Sequence, residues 1–92
     1  MSRRPLIAGN WKMNGLLADG TALAQGVAAK LKAAPGLGCD VLVCPPFPLL
    51  GAVAAAVAGS GVAVGAQDCH AKTAGAHTGD TSAALLKDVG CA

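Results

Sequence analysis

Three short apolar runs, PLIAGNW (5–11), CDVLVCP (39–45) and VAVGAQD (62–68), each give way to glycine- or proline-bearing turn chemistry and then to a stretch with helical spacing. That repeated order constrains the chain more than any other feature. Strands joined in sequence through a helix lie parallel, because the helix returns the chain to the end from which it started. Parallel strands are normally covered by helices, so the three runs are predicted to be buried on both faces, which suits their β-branched and small apolar residues. The expected fold is α/β, three parallel βα units within one domain over residues 1–92.

The first helix is predicted within GLLADGTALAQGVAAKLKAAPG, where Leu23, Val27 and Leu31 recur every four residues as an apolar stripe. Lys30 and Lys32 suit the negative end of its dipole, and Pro35-Gly36 stops it. The second begins near Pro46 or Phe47, repeats the spacing at Leu49, Val53 and Val57, and ends at Gly59-Ser60-Gly61. The third is short, with Asp80 or Thr81 as its cap, Leu85, Leu86 and Val89 facing inward, and Gly90 as its terminator. Between the third strand and that helix, CHAKTAGAHTGDT shows no apolar period. Loops of this length inside compact domains are usually functional or interfacial.

Apolar residues supply 53% of the chain, yet Trp11 and Phe47 are the only aromatics, so the core has to be assembled from thin layers of Ala, Val and Leu. The net charge of +2 comes from scattered cations with no run longer than Arg3-Arg4. Binding to nucleic acid or to a membrane surface is therefore not expected. GAVAAAVAG (51–59) falls short of the roughly 20 residues that cross a bilayer. MSRRPLIAGNW has no long apolar stretch or small-residue cleavage site, so a cytoplasmic location is expected. Cys39, Cys44, Cys69 and Cys91 show no C-x-x-C spacing and are expected to be free, buried thiols.

Side chains alternate along a strand, so Leu6, Ala8, Asn10 and Lys12 share one face while Ile7, Gly9 and Trp11 share the other. The first face turns from apolar to polar as the strand ends. Ligands of parallel α/β folds bind at the carboxyl ends of strands, and an amide beside an ammonium there suits a phosphate or other oxyanion. The same residues also allow a plainer arrangement, with Asn10 capping a turn and Lys12 a solvated loop cation. There is no G-x-x-x-x-G-K-[ST], and Gly59, Gly61 and Gly65 precede a strand instead of following one, so a nucleotide fingerprint is absent. Cys69, His70 and His77 lack the second paired motif of a closed zinc site, and no metal is expected.

AGNWKMNG (8–15) resembles the first strand and loop of the triosephosphate isomerase family. The likeness continues in register: VLVCPPFPLL (41–50) resembles that family's second strand and helix start, and VGAQDCHAKTAGAHTGDTSAALLKDVG (64–90) its third strand, long dimer loop and third helix. The resemblance implies the N-terminal part of a (β/α)8 TIM barrel, the first three of eight βα units. It implies triose phosphate as substrate, isomerised through an enediolate in glycolysis and gluconeogenesis, with no cofactor. Asn10 and Lys12 would then bind the substrate, and Lys12 would act as a catalytic cation beside the phosphate and the oxygen that gains charge. In a homodimer, Thr78 would reach across the interface. His77 and Asp80 would lie in that interface, where many members carry an aromatic residue and a glutamate.

The family's electrophilic histidine lies in a Gly-His-Ser-Glu pattern on its fourth strand, and its base follows the sixth; no such pattern occurs among these residues. His70 and His77, in the long loop, are not assigned that role. A complete barrel takes about 250 residues, so the chain is expected to be a fragment that is inactive alone. The competing reading is a non-catalytic phosphate-binding or oligomerisation module of three βα units. The literal length favours it, and the apolar strand edge such a piece would expose opposes it.

Overall fold

The computed structural model describes residues 3–92. Each of the three apolar runs forms a strand: β1 (Leu6–Asn10), β2 (Asp40–Cys44) and β3 (Ala63–Val64). They pair in parallel in chain order, Leu6 to Asn10 opposite Asp40 to Cys44, and Leu42-Val43 opposite Ala63-Val64. Between them run α1 (Leu17–Lys32) and α2 (Leu50–Val57), the latter entered through a 3-10 turn at Phe47–Leu49; α3 (Ala83–Val89) follows the long loop. None of the described helices is long and apolar enough to cross a membrane.

The core lies between the sheet and the helices. Val43 and Val64 point the same way from neighbouring strands and meet Ala24 and Ala28 of α1, Leu50, Val53 and Val57 of α2, and Leu86 of α3, all buried. The predicted stripe on α2 is therefore correct. That on α1 is not, because Leu23 is 53% exposed while Gly20, Ala24 and Ala28 form the inner face. Small residues are what the packing demands: a methyl placed on Gly20 would lie 2.9 Å from Leu49 Cδ1. The helix sits too close for a leucine to be wedged beneath it. Val27 and Leu31, half-buried, flank that contact.

Four other expectations are corrected. On α3 only Leu86 is buried, while Leu85 and Val89 face out, since this short helix packs on α2 along one side. Its cap is Ser82, whose Oγ accepts from the Leu85 N–H at 3.3 Å, and not Asp80 or Thr81. The strands are not uniformly buried: every residue of β1 is exposed, Leu6 and Ile7 by 58% each, because β1 is an edge strand packed chiefly on β2. The cysteines are free, as expected, but Cys69 is exposed and the other three are only half-buried. Burial, reinforced by the neighbouring Cys44, pushes the Cys91 thiol up from its ordinary value.

Gly90 ends α3 as the sequence suggested, in the left-handed region at φ 115°. A Cβ there would stand 2.7 Å from the Ala54 Cβ, which has no rotamer through which to retreat. Gly90→Ala therefore combines backbone strain with a clash, and is expected to destabilise by roughly 3 kcal/mol. Urea unfolding followed by far-ultraviolet circular dichroism reads this as a lower midpoint at unchanged slope.

Candidate functional site

The carboxyl ends of the strands converge through three polar side-chain bonds. The Trp11 N–H donates to the Cys44 carbonyl at 3.1 Å, carrying the β1–β2 ladder one residue past Asn10. Asn10 Oδ1 then accepts the Lys12 N–H at 2.9 Å, a side-chain turn of the kind asparagine forms readily. Gln67, three residues beyond β3, donates its Nε2 both to the Lys12 carbonyl at 2.8 Å and to the Cys44 carbonyl at 2.9 Å. Ends of all three strands are thus tied together around one lysine.

Lys12 has φ 58°, and among the described residues it is the only non-glycine with positive φ. That conformation costs a lysine roughly 1–2 kcal/mol, and the bonds from Asn10 and Gln67 hold the backbone in it. Its side chain is exposed and forms no ion pair or hydrogen bond among the described residues. Trp11 turns the other way and packs on the core, its ring 3.6 Å from where a methyl on Gly20 would sit. The division of Asn10 from Trp11 by strand parity is therefore present. Lys12 is placed by a left-handed turn after the strand, not by continued alternation.

Gln67 was not singled out in the sequence. The available signal is the one that marks Asn10, a polar amide at the carboxyl end of an apolar run. Gly65 itself is needed for close approach, because a methyl there would lie 3.1 Å from Cys44 Sγ.

His77, Thr78 and Asp80 are all exposed on the loop after β3, and no hydrogen bond joins them to Asn10, Lys12 or Gln67. The loop is closed at its base by the His70 N–H donating to the Thr81 carbonyl at 2.8 Å. A hollow of about 800 Å³ touches the first group only through Gln67 and does not reach the second. It opens along the free edge of β3, between Gln67 and the Leu86, Lys87 and Cys91 side of α3. Its apolar lining reflects that uncovered edge, whereas at Lys12 a cation and two bonded side-chain amides meet.

A model of the triosephosphate isomerase family matches residues 5–92. The chain belongs to the triosephosphate isomerase family. It is 57% identical over 88 residues to the triosephosphate isomerase of Xanthobacter flavus, covering 96% of this chain and 34% of that protein. With that of Xanthobacter autotrophicus it shares 58% over 92 residues, covering 97% and 35%. The crystal structure of triosephosphate isomerase from Bartonella henselae superposes with a TM-score of 0.77 at 36% identity, covering 97% of this chain and 35% of that one. The chain thus spans about a third of the length of these relatives, and its fold is that of three parallel βα units of a TIM barrel.

The Gln67 bonds give this site a direct test. Gln67→Leu removes both donors while keeping similar bulk, and the two carbonyls it served remain close to water. The expected loss of stability is therefore only about 1 kcal/mol. The hold on the Lys12 backbone is lost as well, so in a full-length barrel carrying this segment the Lys12 amide should exchange with solvent faster than the stability loss explains. Unchanged exchange would show that Asn10 alone suffices.

Proposed function

We propose that this chain serves the interconversion of dihydroxyacetone phosphate and D-glyceraldehyde 3-phosphate, as part of a cytoplasmic triose-phosphate isomerase of glycolysis and gluconeogenesis. One observation carries the reading: the lysine at the carboxyl mouth of the sheet is locked in a left-handed turn by Asn10 and Gln67. A cation fixed in advance stabilises charge that develops during reaction better than one that must be ordered at that moment. Lys12 is assigned to the substrate phosphate and to the carbonyl oxygen that becomes the enediolate oxyanion. Asn10 acts on the substrate side by holding Lys12 and presenting its amide. No cofactor takes part. The proton transfers need an acid and a base that Asn10 and Lys12 do not supply, so the isolated chain is proposed to be inactive.

His77, Thr78 and Asp80 are assigned to contact with a second copy in a homodimer, a reading supported by their exposure and by the loop's lack of a buried period. Joining residues 1–92 to the remaining units of the Xanthobacter flavus enzyme tests both parts. The chimaera should turn over triose phosphate and sediment as a dimer, and removal of residues 72–77 should shift it toward monomer. A chimaera that folds but has no turnover would sink the catalytic reading. An unchanged dimer after the deletion would sink the docking role.

A further inference from the structure

We draw no further inference here: the strongest candidate, the exposed apolar patch of Met13, Leu16 and Leu17 between β1 and the first turn of α1, carries nothing because nothing in the structure shows what covers it.

Discussion

Replacing Lys12 with Met in a full-length barrel carrying this segment is expected to remove nearly all isomerase turnover while leaving the fold in place. Methionine matches lysine in length, and at φ 58° it bears the same left-handed backbone cost, so the change isolates the ammonium. Asn10 Oδ1 and Gln67 Nε2 bond the backbone of residue 12, not its side chain, and both bonds survive the substitution. No core cavity opens, because residue 12 is exposed. What disappears is a positive charge held where the phosphate and the developing oxyanion are assigned, and one such group is worth roughly 3 kcal/mol or more, a rate factor of about 150 or more. Steady-state assays should show a fall in kcat/KM of at least that size with unchanged thermal unfolding. A variant retaining wild-type kcat/KM would remove Lys12 from the chemistry.

How far the sequence reveals this arrangement depends on which force places each residue. β1 and β2 were legible to within a residue at each end, because their runs are bounded by proline or by polar residues that break the apolar pattern. β3 was read too long: after Val64 the ladder continues only through the Gly65 N–H to the Val43 carbonyl at 2.9 Å, and Gln67 then contributes its side chain in place of its backbone. On α1, hydrophobicity favoured Leu23, but the separation between helix and core admitted only Gly20, Ala24 and Ala28. A spacing rule sees periodicity and not distance. Asn10 and Lys12 stood out because they fall on one strand face that turns polar at the carboxyl end, where parallel α/β folds bind ligands. Gln67 did not, since its partners are carbonyls that belong to two other elements.

The 92-residue chain by itself is expected to show no isomerase activity and no cooperative folding. Its chemistry is limited by inventory: a cation and an amide can bind a phosphate, but neither moves a proton between adjacent carbons at neutral pH. Its stability is limited by geometry. A compact protein of its 8.9 kDa exposes about 4,800 Å², whereas this fold exposes 6155 Å². Its radius of gyration is 14.0 Å where about 12 Å is usual for the length. The excess comes from a sheet covered on one side only. Leu6 and Ile7 are more than half exposed on an edge strand, and Leu85 and Val89 face out from α3. Water meets surface that parallel sheets elsewhere bury, and unpaired edges invite other chains. The purified chain should therefore give a weak near-ultraviolet signal from Trp11, associate with itself as concentration rises, and gain turnover only when a chain carrying the remaining βα units is added. Measurable turnover by the chain alone, free of contaminating enzyme and lost in a single cooperative unfolding transition, would show that three βα units are enough both to fold and to catalyse.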